Sequence, residues 1–184
     1  MKYIIFILIF LYPLNIFASS KKLIKSKLQD TDNVSFNFVQ KVGKKTEKGE
    51  CIILYPKKIL CKYNDIYNKI LVSNGRSLVI NSKKISNYLR YNLKDTPLNL
   101  ILDKEFLLDK LDQVDVIQEN DETFYFEVIQ NDNLLNIFFD KNNYNIKGWT
   151  TIDIYQNSVE TKLFNIEVNM MIDENTFRVQ NYIN

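Results

Sequence analysis

The chain has 184 residues, a length that suits one domain with a sizeable core, and its 24 lysines and arginines nearly balance 22 aspartates and glutamates. That balance leaves no basic surface of the kind that nucleic acids or anionic lipids require. The sequence contains no histidine, which removes the commonest general base, the Ser-His-Asp and Cys-His arrangements and most zinc sites. We therefore expect no enzyme activity, no metal, no cofactor and no nucleic-acid partner.

The beginning of the chain predicts a secretory signal peptide over residues 1–18. A lysine precedes an apolar run over residues 3–17, which a proline and an asparagine interrupt and small residues follow. Such a run is too short and too broken for a membrane span. We expect cleavage after Ala18, with Ser20 as the second choice and an uncleaved anchor as the alternative. No cysteine follows the run, so we expect a soluble periplasmic domain over residues 19–184 without a lipid anchor.

The first elements after the signal are a short helix and a strand. Leu23, Ile24 and Leu28 recur at helical spacing, which predicts an amphipathic helix over residues 21–29. Residues 34–42 alternate between apolar and polar side chains, which predicts a strand with one buried face.

The two cysteines of the chain flank a turn signal at Pro56. A hairpin over residues 51–63 places Cys51 and Cys61 opposite one another on neighbouring strands. In an oxidising periplasm this pattern predicts a cross-strand disulfide, with two free thiols packed as small hydrophobic groups as the alternative.

Both faces of this hairpin carry apolar side chains. If Glu50 and Lys62 face solvent, the alternation defines a buried face. That face consists of Cys51, Ile53, Tyr55, Ile59, Cys61 and Tyr63. The other face carries Ile52, Leu54 and Leu60, so we expect both sides of the sheet to be covered.

A second hairpin follows, with strands over residues 68–73 and 77–81 around an Asn-Gly turn, and residues 84–93 predict a further strand. The next stretch predicts a short helix, with the Thr96 hydroxyl as its cap and Pro97 at its first position. Its apolar residues are Leu98, Leu100, Ile101 and Leu102. A helix this short must dock on the rest of the protein to be stable. It is either a plug for the open side of a sheet or a movable lid over an apolar cavity.

The second half of the chain again predicts strands. Asp103 can cap a second helix over residues 104–111. The strands that follow cover residues 114–119, 123–130, 134–140, 145–155 and 164–170, with Phe164, Ile166 and Val168 on one face, and a turn at 173–175 leads into residues 176–179. Ten or eleven short strands with few helices indicate a mainly β protein built as an open or closed antiparallel barrel.

Several short motifs in this order resemble the LolA family, the periplasmic carriers of outer-membrane lipoproteins. They are the segment Phe36-Asn37-Phe38-Val39-Gln40, Gly49 before the Pro56 hairpin, the turn Val72-Ser73-Asn74-Gly75, and Thr96-Pro97-Leu98. The likeness spans nearly all of the predicted mature chain, and it depends on the order and spacing of the motifs rather than on any one of them.

The resemblance implies an incomplete antiparallel β-barrel covered by a helical lid, with an apolar cavity for acyl chains. It implies a monomeric chaperone that accepts acylated lipoproteins from an inner-membrane lipoprotein-releasing ABC transporter and shuttles them to a lipoprotein acceptor at the outer membrane. The expected lining of the cavity is Ile53, Tyr55, Ile59, Tyr63, Leu98, Ile101 and Leu102. The alternative is a sensor or interaction module of the same fold that binds lipids or lipoproteins without shuttling them.

The sequence departs from the family just before Pro56. The family's well-known carriers have an arginine there that hydrogen-bonds the lid, whereas this chain has Tyr55. Because a phenol can donate and accept hydrogen bonds, we hypothesise that the Tyr55 hydroxyl reaches the backbone of the lid.

Overall fold

The computed structural model describes residues 16–130, 133–153 and 156–183. Within these ranges the chain forms eleven strands, three α-helices and three short 3-10 helices. The strands are β1 Asn33–Val42, β2 Lys45–Leu54, β3 Lys58–Tyr63, β4 Ile70–Asn74, β5 Ser77–Asn81, β6 Leu89–Asn92, β7 Ile117–Gln118, β8 Thr123–Gln130, β9 Asn133–Asp140, β10 Ile146–Ile152 and β11 Ser158–Val168. The α-helices are α1 Ile16–Gln29, α2 Leu98–Ile101 and α3 Lys104–Gln113, and the 3-10 helices are Leu93–Asp95, Glu174–Phe177 and Val179–Tyr182. Of the predicted signal peptide, residues 1–15 lie outside the described residues, and no helix within the described ranges is long and apolar enough to span a bilayer.

The strands form one antiparallel sheet in the order β6-β5-β4-β3-β2-β1-β11-β10-β9-β8-β7. Within β1 to β6 and within β7 to β11 each strand pairs with its neighbours along the chain, and β11 returns to pair with β1, which joins the two halves of the sheet. Among the described residues the edges β6 and β7 do not pair, and the chain passes from one edge to the other through α2 and α3. This arrangement confirms the predicted incomplete antiparallel barrel with helices over its open side.

The main core lies between one face of the sheet and the helices. Alternate residues of β1 point into it, and the ring of Phe36 meets Trp149 of β10 edge to face at a centroid distance of 6.1 Å. From the helical side, Ile24 of α1 and Leu107 of α3 are fully buried in the same core. Burial of this face at roughly 1.5–3 kcal/mol per large apolar side chain stabilises the short helices, which are too short to persist alone.

Gly49 in β2 marks a place where the sheet leaves no room for a side chain. A Cβ there would lie 2.2 Å from the Lys62 carbonyl oxygen and 2.8 Å from the ring of Phe38. Any side chain at this position would push β2 away from β3, so the glycine permits close strand packing.

The opposite face of the sheet is also covered, as the sequence predicts. Leu60, Val72 and Val79 pack there against Phe177 and Val179 from the end of the described chain. The covering segment, which includes residues 176–179, does not form a strand. It forms two 3-10 helices because Asp173 caps the first of them, accepting a hydrogen bond from the Asn175 N–H at 2.9 Å, and because it crosses the face of the sheet, where there is no edge to pair with.

Two predicted strands are longer than the strands in the structure. The strand predicted over residues 84–93 is only β6, since the Lys83 N–H donates to the Tyr67 carbonyl and the Ile85 N–H closes a turn onto Ser82. The strand predicted over residues 114–119 contains only β7.

The predicted face of β11 is wrong at Phe164, which is exposed. The pairing of β1 with β11 shifts register between Ser35 and Asn37, and Asn165 takes a positive φ of 50°. This bulge reverses the alternation, so that Leu163 points into the core before it and Ile166 after it.

Cys51 and Cys61 lie directly opposite each other on β2 and β3 and form a disulfide with an S–S distance of 2.01 Å, which confirms the predicted pairing. We expect replacement of both cysteines by alanine to lower the free energy of unfolding by about 2–3 kcal/mol, since the bond closes a short loop in the unfolded chain. Urea denaturation of the double variant and the unaltered protein measures this difference. Two reactive thiols in the denatured, unreduced wild-type protein would contradict the pairing.

Candidate functional site

A cavity with a volume of about 660 Å³ lies between the sheet and helix α2. This volume falls within the range of about 300–1,000 Å³ that is typical of small-molecule sites. Its apolar wall consists of Phe36, Phe38, Ile59, Leu71, Leu78, Ile80, Trp149, Ile152, Val159, Leu98 and Ile101, and the Cys51–Cys61 disulfide lies in the same wall. Both halves of the sheet contribute, so the cavity exists only because β11 pairs with β1.

One side of the cavity carries a half-buried ion pair. The Lys69 ammonium lies 2.6 Å from the Glu47 carboxylate and 3.7 Å from the centre of the Tyr63 ring, and Lys45 also contacts Glu47. Only 11% of the Glu47 side chain and 21% of the Lys69 side chain are exposed. The cavity wall also carries the charged residues Arg90, Asp95 and Asp153, so this pair is one of several polar groups in a wall that is mostly apolar.

Burial and the attraction between opposite charges shift the pKa values of Glu47 and Lys69 in opposite directions. Burial of the Glu47 carboxyl raises its pKa, but hydrogen bonds from Lys45 and Lys69 outweigh burial and hold the pKa below its usual value. Burial lowers the pKa of Lys69, and its attraction to Glu47 offsets this only in part. At neutral pH Glu47 is therefore ionised, and its charge is already engaged by two ammonium groups.

The sequence-predicted lining residues divide into two groups. Ile59, Tyr63, Leu98 and Ile101 line the cavity. Ile53, Tyr55 and Leu102 are buried in the packed core and do not belong to the cavity wall. That the first group contacts acyl chains stays a prediction.

Sequence reasoning missed much of the wall, including Phe36, Phe38 and Trp149. The alternation of β1 predicts that Phe36 and Phe38 are buried, but it does not indicate that they border a cavity. Trp149 lies more than a hundred residues away along the chain, and only the register of the whole sheet brings it beside Phe36.

Helix α2 covers the cavity as a single four-residue turn, with Ile101 and the following Leu102 buried and with Leu98 and Leu100 half-buried. The predicted cap at Thr96 is wrong. The Thr96 hydroxyl donates to the Leu93 carbonyl at 2.8 Å because Thr96 closes the preceding 3-10 turn, and Pro97 occupies the cap position of α2.

Lys57, in the turn between β2 and β3, holds the junction of α2 and α3. Its backbone N–H donates to the Leu102 carbonyl at 2.8 Å, and its ammonium lies 3.0 Å from the Asp103 carboxylate. Asp103 also caps α3, as predicted, by accepting from the Phe106 N–H at 3.2 Å. The hairpin turn is therefore tied to the lid through its backbone and through one ion pair.

The hypothesis that the Tyr55 hydroxyl bonds the lid is wrong. The Tyr55 hydroxyl is buried and has no hydrogen-bond partner among the described residues. Burial alone raises the pKa of this phenol far above its usual value. Lys57 makes the contact to the lid that the hypothesis gave to Tyr55.

Comparison with known proteins gives one family match. A family model described as outer membrane lipoprotein carrier protein LolA matches residues 29–180. No curated protein matches the sequence.

Solved structures share the fold at very low sequence identity. A domain described as a proposed outer membrane lipoprotein-sorting protein from Vibrio parahaemolyticus is 10% identical with a TM-score of 0.51, covering 89% of this chain and 96% of that one. MucB is 12% identical with a TM-score of 0.52, covering 88% of this chain and 62% of MucB. A LolA superfamily protein from Nitrosomonas europaea is 8% identical with a TM-score of 0.44, covering 88% of this chain and 96% of that one. At these identities the likeness to the first two structures shows the fold alone.

The unpaired hydroxyl of Tyr55 yields a prediction. We expect Tyr55→Phe to leave the lid in place and to raise the free energy of unfolding by up to about 1 kcal/mol, because it removes a buried polar group that no partner satisfies. Tyr182→Phe is the matched control, because the Tyr182 hydroxyl donates to the Thr176 carbonyl at 2.9 Å. We expect loss of this hydrogen bond to lower the free energy of unfolding by about 1 kcal/mol. Urea denaturation of both variants measures these changes, and a clear loss of stability in Tyr55→Phe would contradict the assignment.

Proposed function

The chain belongs to the LolA family of outer membrane lipoprotein carrier proteins, and on that premise we propose that it is a periplasmic carrier that holds the acyl chains of lipoproteins in the cavity beneath α2. It accepts them from an inner-membrane lipoprotein-releasing ABC transporter and passes them to an acceptor at the outer membrane.

The observation that supports this proposal most directly is the apolar wall of the cavity beneath α2. Aromatic and aliphatic side chains from both halves of the sheet face α2 across a volume of about 660 Å³. Each methylene group that leaves water for such a wall contributes roughly 0.8 kcal/mol. Part of one acyl chain would therefore be held by several kcal/mol without any specific contact, which suits a carrier of many different lipoproteins.

The weak attachment of α2 to the rest of the protein favours the release of cargo, which a carrier requires. Leu98 and Ile101 reach into the cavity from α2, so a bound chain must displace them or pack beside them. The tether to the hairpin turn is slight: one backbone hydrogen bond and the Lys57–Asp103 pair, which is partly exposed and is worth roughly 0–1 kcal/mol. The burial of Ile101 and Leu102 therefore contributes most of the free energy that keeps α2 closed. A bound acyl chain would replace these apolar contacts by apolar contacts of its own.

The proposed activity is binding without the making or breaking of a covalent bond. The ion pair in the cavity wall favours this proposal, because the Glu47 and Lys69 side chains satisfy each other rather than standing as a free base and a free acid. We therefore propose that the polar end of a lipid lies on that side of the cavity and that the acyl chains lie against the wall around Phe36 and Trp149.

Two leucines of α2 provide a matched test. Leu98 and Leu100 are both half-buried on the same short helix, but only Leu98 lines the cavity. We expect Leu98→Asn to lower the yield of lipoprotein released from spheroplasts by purified protein by about tenfold, because it places an amide against the acyl chain. Leu100→Asn should release lipoprotein nearly as well as the unaltered protein.

The same assay separates carrier from sensor. Released lipoprotein that passes on to outer-membrane vesicles supports shuttling. Lipoprotein that is bound but never transferred would support the alternative of a binding module. Equal loss of release in the two leucine variants would contradict the assignment of the cavity as the acyl-chain site.

A further inference from the structure

Strand β6 is an edge of the sheet and carries exposed apolar and aromatic side chains. Leu89 is 45% exposed and Tyr91 is 40% exposed, and β6 has a neighbour only on its β5 side among the described residues. An edge strand presents unpaired backbone donors and acceptors that favour the addition of another strand. No proline or bulge interrupts β6 to prevent this.

The register of β5 and β6 shows which backbone groups of β6 are unused. Ser77 lies opposite Asn92, and at the next position the Leu93 N–H donates to the Arg76 carbonyl at 2.8 Å. Opposed residues in an antiparallel pair alternate between hydrogen-bonded and non-hydrogen-bonded positions. Leu89 and Tyr91 therefore direct their backbone groups toward β5, while Arg90 and Asn92 direct theirs outward.

The same strand borders the cavity. Arg90, Tyr91 and Asn92 all contribute to the cavity wall. Tyr91 lies opposite Leu78, which is buried in the main core and also lines the cavity, so the two side chains share one face of the sheet. The free backbone of β6 therefore runs along the mouth of the cavity. The other edge, β7, is two residues long and contributes nothing to this wall.

We propose that β6 binds the extended polypeptide segment that follows the acylated residue of a lipoprotein, as an additional strand of the sheet. This inference rests on the proposed function, since it takes the acyl chains to lie in the cavity and the attached polypeptide to leave through its mouth. Arg90 offers its N–H and its carbonyl, and Asn92 offers its N–H, while the Asn92 carbonyl accepts the first hydrogen bond of the 3-10 helix Leu93–Asp95. The added strand therefore gains up to three backbone hydrogen bonds. Backbone pairing is largely independent of side chains, which lets one carrier hold cargoes of different sequence.

Two synthetic ligands test this proposal in detergent-free binding assays. One is a diacylated cysteine followed by five residues, and the other is the same diacylated cysteine capped as an amide. We expect the unaltered protein to bind the lipopeptide about tenfold more tightly than the capped cysteine, since each net hydrogen bond changes affinity by roughly two- to tenfold.

Arg90→Pro and Arg90→Ala form the matched pair of variants. Proline removes the outward N–H of residue 90 and leaves the inward pairing of Leu89 and Tyr91, as edge strands allow, whereas alanine removes only the side chain. Both variants remove the Arg90 side chain from the cavity wall, so they should bind the capped cysteine equally well. We expect Arg90→Pro to bind the lipopeptide at least about threefold more weakly than Arg90→Ala, because only the proline removes the outward N–H.

A second ligand keeps the test independent of whether Arg90→Pro folds. A lipopeptide with prolines at alternate positions cannot pair with a strand, and we expect it to bind the unaltered protein only as well as the capped cysteine. Amide hydrogen exchange at Arg90 and Asn92 should slow with the first lipopeptide and not with this one. Equal binding of all three ligands would overturn the strand proposal and leave the carrier proposal intact, whereas binding of none of them would overturn the carrier proposal.

Discussion

The pairing of β1 with β11 is the contact on which the rest of this structure depends. It joins the first strand of the sheet to the last, and through it two separate runs of neighbouring strands become one curved surface. Phe36 on β1 and Trp149 on β10 meet across that join. Because these strands are distant in sequence, their pairing has a high entropic cost, and the burial of a continuous apolar face offsets it. The cavity lies over the same join, so fold and site are consequences of one interface.

The two faces of the sheet are covered in different ways. One face is closed by Phe177 and Val179, which pack directly against it, while the other is covered by α2 and α3 with a cavity left between. A packed face stabilises the domain, and a face that is not filled by the protein's own side chains can accept another apolar molecule. The cover over the cavity is the short helix α2, which is one turn long and whose C-terminal end is bound by the Lys57 backbone. The packed face therefore stabilises the sheet that forms the floor of the cavity.

Local patterns predict those parts of the fold that local geometry determines. The Cys51–Cys61 pair follows from a turn signal midway between two cysteines, and the buried face of the same hairpin follows from alternation alone. The bulge at Asn165 is different, because it depends on how β11 meets β1 and not on the composition of β11. The hydrogen bond from Lys57 to the lid is also a tertiary contact. The position of the family's arginine predicts that Tyr55 makes this contact, whereas Lys57, two residues later in the turn, makes it. Alternation identifies buried residues, but it does not distinguish Ile53, in the packed core, from Ile59, on the cavity wall.

Native mass spectrometry of the protein, purified from the envelope of its own host without detergent, tests the central claim most directly. A carrier whose cavity binds acyl chains should be found partly in complex with acylated lipoproteins, each bound through its lipid and released when detergent competes for the cavity. We expect these complexes together with an empty monomer of the mature chain. A protein found only as the empty monomer, under conditions in which its host exports lipoproteins, would contradict the claim that the cavity is a site for lipoprotein acyl chains.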